Sequence, residues 1–154
     1  MKIRPFSFYL VLCLGLSLFV LCLLDCRCFA GIPVPASISS REVREVRVFL
    51  KTQCFGFYEI GTLKFSGPVC TGKRGYETPR GKFRVLTKTR NYYSRKYDGA
   101  PMPFAVQFST SGCFLHVGEI RCKPSSHGCV RLTEKDAMRI FGAVKIGDPV
   151  IITD

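Results

Sequence analysis

The sequence predicts a mostly β domain with a single helix placed directly after a cysteine-bearing segment. Three observations carry that expectation. Apolar and polar residues alternate with a period of two in several short stretches, as in half-buried strands. Glycine and proline punctuate those stretches. Only the stretch opened by Thr133 shows helical spacing of apolar residues behind a capping residue.

Val46, Val48 and Leu50 alternate with Arg47, Phe49 and Lys51, the pattern of a first strand. Residues 55–60 and 63–69 are two further strands around a turn at Gly61, with Gly56, Gly67 and Pro68 marking bulges or edges. Residues 73–80 hold Gly75 and Pro79 and form a loop, and residues 81–86 resume strand character. Residues 91–103 are polar and aromatic and are broken by Gly99, Pro101 and Pro103. They are expected to form a long surface loop, a place where function concentrates. Residues 104–108 and 113–117 are strands, the second carrying His116 near its end. Thr133 is an N-cap with Asp136 three residues on, a capping box with a shorter acid than usual. Ala137, Met138, Ile140 and Phe141 supply the apolar face, Gly142 is a stop, and a turn and strand over 145–152 close the chain.

The 154 residues allow one domain with a real core, not two. Residues 1–30 read as an export segment. Lys2 and Arg4 precede an apolar run from Phe6 to Leu24, and Cys28 and Ala30 put small residues at a cleavage position. The run is also long enough for an uncleaved membrane anchor, so both fates stay open. A lipoprotein signal is disfavoured, because no small residue precedes Cys22, Cys26 or Cys28. Residues 31–43 form a linker, and 44–154 the folded domain.

The formal net charge of +12 favours acidic partners such as anionic lipid or a polyanionic wall polymer, nucleic acid being the least suited to an exported chain. Its cations (Arg41, Lys64, Lys82, Arg95, Lys123, Lys145) are scattered, as on an ordinary solvated surface. The domain holds five of the nine cysteines: Cys54, Cys70, Cys113, Cys122 and Cys129. Export permits disulfides, and an odd number leaves one thiol over. With Cys129 free, Cys54–Cys70 and Cys113–Cys122 are the local pairings to expect.

The stretch Ser125-Ser126-His127-Gly128-Cys129-Val130-Arg131-Leu132 carries the chemistry. A thiol becomes a nucleophile as the thiolate and needs a base. The chain's two histidines, His116 and His127, both lie within fourteen residues of Cys129. His116, at a strand end, can act as the base, and His127 can line the site. A helix starting just beyond Cys129 would stabilise its thiolate, and Gly128 would let backbone N–H groups converge on an oxyanion. A buried structural cysteine would leave the two histidines unexplained.

Ser126-His127-Gly128-Cys129-Val130-Arg131 resembles the signature of the L,D-transpeptidase catalytic domain, the YkuD family of peptidoglycan cross-linking enzymes. Residues 61–64, 68–73, 78–83, 102–104 and 147–150 resemble further family segments in the same order, so the likeness spans about 44–154. It implies a YkuD-like β-sandwich with Cys129 as nucleophile and His116 as proton donor and acceptor. The carbonyl of Val117 would orient that histidine. Ser126, His127 and Gly128 would form the oxyanion hole and line the site, and Arg131, Met102 and Phe104 would meet substrate. The implied reaction acylates Cys129 with a stem tetrapeptide, releases D-alanine, and passes the acyl group to an amine of another stem. With water as acceptor the enzyme would be an L,D-carboxypeptidase. No cofactor is implied, and a monomer is expected. Two features depart from the family: the segment between His116 and Ser126 is short, and Val117 stands where glycine is common. Both bear on the choice of acceptor rather than on the nucleophile.

Two readings of another kind compete. Cys113-x-x-His116 has metal-ligand spacing, and Cys122, His127 and Cys129 could complete a site, although His127 and Cys129 are close for two ligands of one ion. A non-catalytic wall-binding module would instead use the basic surface with Tyr92, Tyr93 and Tyr97.

Overall fold

The valines that alternate with charged residues near position 46 do face inward. Val46 and Val48 are fully buried in β1 (Arg44–Phe49), while Arg44, Glu45 and Arg47 keep partial access to solvent. The computed structural model describes residues 44–121 and 123–154, so the apolar segment 6–24 and the linker 31–43 lie outside the described residues. Among the described residues, no helix is long and apolar enough to cross a membrane.

The remaining elements are β2 (Cys54–Glu59), β3 (Thr62–Cys70), β4 (Gly81–Arg84), β5 (Thr87–Tyr93), β6 (Pro101–Gln107), β7 (Phe114–Val117), β8 (Val130–Leu132), α1 (Glu134–Ala143) and β9 (Pro149–Thr153). Their order across the sheet is β4-β9-β1-β2-β3-β8-β7-β6-β5. β3 joins the two halves. Its first part pairs antiparallel with β2 through a bulge at Phe57/Tyr58, and its last residues, Val69 and Cys70, pair with Leu132 and Arg131 of β8. The sheet curls, giving the expected mostly β architecture. One core joins Val46, Val48, Phe55, Phe57, Leu115, Val130, Leu132 and Ile140. Burying each such side chain stabilises the fold by roughly 1.5–3 kcal/mol.

Two strands differ from the sequence expectation. Residues 91–103 are not one long loop: β5 and β6 form an antiparallel hairpin, leaving 94–100 as the connection. β5 is an edge strand, so most of its side chains can be polar and its alternation is weak. Pro101 and Pro103 are tolerated because β6 pairs with β7 only at Val106 and Gln107, leaving its earlier part unpaired on that side. The second difference is β8, which stands between Cys129 and the helix.

The helix itself begins as expected. Thr133 Oγ1 accepts the Asp136 N–H at 3.2 Å, the expected cap, and donates to Asp136 Oδ2 at 2.7 Å, so the carboxylate engages the Thr133 hydroxyl and not its backbone N–H as a capping box would. Gly67 makes room for that carboxylate, since a Cβ there would lie 2.6 Å from Asp136 Oδ2. Ala137 and Ile140 are buried, but Met138 is exposed and the helix runs through Gly142 to Ala143. Its last turn has no basic residue of its own. Lys88 of β5 supplies the charge from outside, donating to Val144 O at 2.6 Å with its ammonium 4.8 Å from the Phe141 ring.

The Cys54–Cys70 pairing does not form. Cys54 sits opposite Pro68 and its thiol meets Thr52 Oγ1, whereas the buried Cys70 thiol lies 2.9 Å from Ser125 Oγ. The other expected pairing involves Cys122, which lies outside the described residues.

Candidate active site

The parallel register of β7 and β8 assembles the site. Leu115 lies opposite Val130, His116 opposite Arg131, and Val117 opposite Leu132. Leu115, Val130 and Leu132 are fully buried in the core. Alternation therefore turns His116, Arg131 and Cys129 to the other face, where all three line a cavity of about 360 Å³. Ser126, His127, Val117 and Met102 line it too, together with Tyr97 and Glu119.

His116 is 8% exposed, and its Nδ1 lies 2.7 Å from Val117 O. A carbonyl only accepts, so Nδ1 carries the hydrogen and Nε2 keeps a lone pair. Burial lowers the imidazole pKa to about 4, against the pull of the Val117 carbonyl and with help from the Arg131 charge. Burial likewise raises the Cys129 thiol to about 11. The Phe114 backbone N–H and the charges of Arg131 and Lys96 oppose that rise, and Cys113 adds to it. The resting pair is thus neutral thiol and neutral imidazole. This corrects the expectation of a helix-stabilised thiolate: β8 and the Thr133 cap intervene, and the macrodipole fades within a turn.

The turn before Cys129 is held by backbone templating. Thr71 O accepts from the Ser125 and Ser126 amides at 2.9 and 3.0 Å, and the Lys73 amide donates to Ser126 O at 3.0 Å. Gly72 lets the 76–78 segment close over this strand end, since a Cβ there would lie 2.0 Å from Tyr76 O. Its N–H is fixed by Thr78 Oγ1 at 2.9 Å. Ser126 is buried and acts as a staple, its hydroxyl accepting from the Gly128 N–H at 3.2 Å and donating to Cys129 O at 2.6 Å. Gly128 adopts φ +108°, a conformation natural to glycine alone. Because Ser126 already engages the Gly128 N–H, this amide is a poorer oxyanion donor than the sequence suggests.

His127 sits between two aromatic rings, with Tyr76 edge-on at 4.8 Å and Tyr97 at 4.9 Å. It lines the cavity, as expected of it. Gly118 lets the Arg131 stem lie against the end of β7, where a Cβ would come 2.7 Å from Arg131 Cγ. Met102 is buried at the site, but Phe104 is not there. Strand alternation would give both one face, yet Phe104 has φ +53° and packs its ring on Phe141 of α1, 5.7 Å away. Neither cavity that meets Cys129 is lined by Phe104.

The second of those cavities, about 170 Å³, is lined by Tyr92, Arg95, Lys96, Tyr97, Phe114 and Cys129 among others. Sequence reading singled out neither Arg95, Lys96 and Glu119 nor the bracing Tyr76 as site residues. The aromatic and basic character of the 92–97 stretch was the available signal. Among the described residues no group of three or more His, Cys, Asp or Glu could share an ion, and Cys122 of the metal-site alternative lies outside them. Cys113 instead packs against the main core.

The sequence matches the L,D-transpeptidase catalytic domain family, YkuD, over residues 44–152. Probable L,D-transpeptidase 3 of Mycobacterium tuberculosis is 30% identical over 103 residues, covering 56% of this chain and 38% of the relative. Putative L,D-transpeptidase YqjB of Bacillus subtilis is 27% identical over 135 residues, covering 78% and 72%. Among solved structures, an L,D-transpeptidase from Stackebrandtia nassauensis superposes with TM-score 0.67 at 28% identity, over 77% of this chain and 60% of that one. An L,D-transpeptidase from Mycobacterium tuberculosis H37Rv gives TM-score 0.67 at 26% identity, over 73% and 58%. The chain spans less than two fifths of the first relative's length.

Proposed function

The chain belongs to the L,D-transpeptidase catalytic domain family, and from that premise we propose that it is an exported cysteine acyl-transferase acting on peptidoglycan stem tetrapeptides. The observation that carries this reading is the β7–β8 register. It brings a thiol and an imidazole with a fixed tautomer to one cavity.

Cys129 Sγ attacks the carbonyl of the third stem residue while its proton passes to His116 Nε2. The N–H groups of His127 and Cys129 face the developing oxyanion, with Ser126 holding the turn that presents them. His116 then delivers the proton to the departing nitrogen, the C–N bond breaks, and D-alanine leaves a thioester on Cys129. An amine of a second stem attacks that thioester and gives its proton to His116, the cross-link forms as the C–S bond breaks, and His116 returns the proton to Sγ. Arg131, beside His116 on the same face, is placed to meet a substrate carboxylate. The export segment delivers the domain to the wall-facing side of the membrane, cleaved or anchored.

Incubating the reduced domain with a disaccharide tetrapeptide, wild type beside Cys129→Ala, tests the proposal. Loss of D-alanine with a dimer product and a Cys129-dependent acyl adduct is expected. Tripeptide alone would make the enzyme an L,D-carboxypeptidase. Absence of any adduct on a free Cys129 would overturn the enzymatic reading.

A further inference from the structure

Cys129 stands at the junction of two cavities of different size and charge. The larger, about 360 Å³, has Glu119 and Arg131 in its wall and mixes both signs. The smaller, about 170 Å³, has Arg95 and Lys96 in its wall and no carboxylate. Tyr97 and Met102 are common to both. Lys96 is near enough to bias the Cys129 thiol toward its anion, and its ammonium lies 5.5 Å from the centre of the Tyr97 ring.

Resting on the transpeptidase reading, we propose that the Arg95–Lys96 cavity is the subsite for a D-amino acid carboxylate and serves both the leaving residue and the incoming acceptor. Size comes first. Pockets that enclose drug-sized ligands start at about 300 Å³, so the smaller cavity suits one small amino acid and the larger one the donor stem. Charge points the same way, because the group leaving a tetrapeptide is an amino acid with a free carboxylate. Microscopic reversibility then extends the role. The acceptor amine must enter along the path by which D-alanine left, since it attacks the same acyl carbon through the reverse of the same step. An acceptor with a carboxylate on the carbon bearing its amine finds the two cations waiting. In the first step the C–N bond to D-alanine breaks as the C–S bond forms, and in the second a new C–N bond forms as the C–S bond breaks. The thiol proton travels through His116 each way.

The test compares a disaccharide tetrapeptide ending in D-alanine with one ending in D-alaninamide, and D-methionine with D-methioninamide as acceptors. Acylation of Cys129 is followed by intact mass, and transfer by product analysis. The wild type is expected to acylate at least about fivefold faster from the carboxylate donor and to favour the carboxylate acceptor similarly, the effect of a charge-assisted contact at an open mouth. Arg95→Gln/Lys96→Gln, which removes both charges, should erase both preferences; because Lys96 also acts on the Cys129 thiol, the readout is the acid-to-amide ratio within each enzyme and not the absolute rate. Equal wild-type rates for acid and amide would overturn the subsite while the acyl adduct left the transpeptidase reading standing. Preferences that survive in the double variant would also overturn it. No adduct from either donor would overturn both.

Discussion

Cys129, the proposed nucleophile, should alkylate slowly in the resting domain. Burial moves its thiol from 9.0 to about 11, so at any pH below 9 its thiolate population falls about a hundredfold relative to an unperturbed thiol. The physical cause is specific. His116 is buried and Cys129 partly so, and burial favours the neutral form of each, raising the thiol and lowering the imidazole. A preformed thiolate–imidazolium pair would shift both groups the opposite way. The assay is the rate of iodoacetamide labelling at Cys129, read by peptide mapping of the reduced domain between pH 6 and 10. A cysteine peptide serves as the reference. The expected rate at pH 7 is about a hundredfold below the reference and still rises beyond pH 9. A rate at or above the reference, or a plateau below pH 8, would refute the neutral resting pair. In the proposed mechanism a neutral resting pair means that the proton leaves Sγ only as the acyl carbonyl arrives, with His116 Nε2 as its acceptor.

The buried His116 also predicts acid sensitivity. Its folded pKa, about 4, lies below the ordinary 6.5, so the unfolded chain binds the proton more readily; about 3 kcal/mol present above pH 6.5 is lost as pH falls through 4. Urea midpoints across that window should show the decline, and His116→Gln should flatten it. Gly128→Ala isolates conformation from space. The added Cβ would meet Cys113 Sγ at 3.7 Å, an ordinary contact, but φ +108° is strained for alanine. A cost of about 1–3 kcal/mol in urea unfolding is expected, with a larger proportional loss of turnover as the neighbouring amides rotate. A variant unchanged in both would show that the turn is relaxed. Lys88→Met keeps the stem against Phe141 but removes the donor to Val144 O. It should destabilise the domain by about 1–2 kcal/mol, and an unchanged midpoint would deny that contact a role at the helix end.

The fold was most legible where one face of an element is buried and the other wet. β1 shows this with Val46 and Val48, and so does α1, where the cap at Thr133 and the buried Ala137 and Ile140 are as the spacing predicts. Legibility failed where pairing rather than burial decides. β5 has Thr87, Thr89, Arg90 and Asn91 at positions that an edge strand leaves in solvent, so its hairpin with β6 leaves little trace in hydrophobic pattern. Met138 failed differently. Its spacing fits the apolar face, yet the packed surface of α1 narrows to Ala137 and Ile140, and Met138 stays outside.

At the site, residue types were readable but their support was not. The thiol, the two histidines and the glycine stand out in the sequence. The Ser126 staple is local but has no periodic signal, and the Thr71 carbonyl beneath the turn and the tyrosines around His127 exist only once distant loops meet. The three residues of β8 matter most, because they are too few to show a period. By pairing with β7 they place Cys129 beside a buried histidine and hold it away from the helix end. That placement exchanges a thiolate poised by a dipole for a neutral thiol poised by its base. In the wall-facing, oxidising compartment proposed for this domain, the exchange would favour survival of the thiol, since thiol oxidation tracks the thiolate population. Hydrogen peroxide should therefore oxidise the resting Cys129 more slowly than a cysteine peptide at pH 7. Faster oxidation, measured as mass added at Cys129, would return the thiolate to the resting state and undo this account of β8.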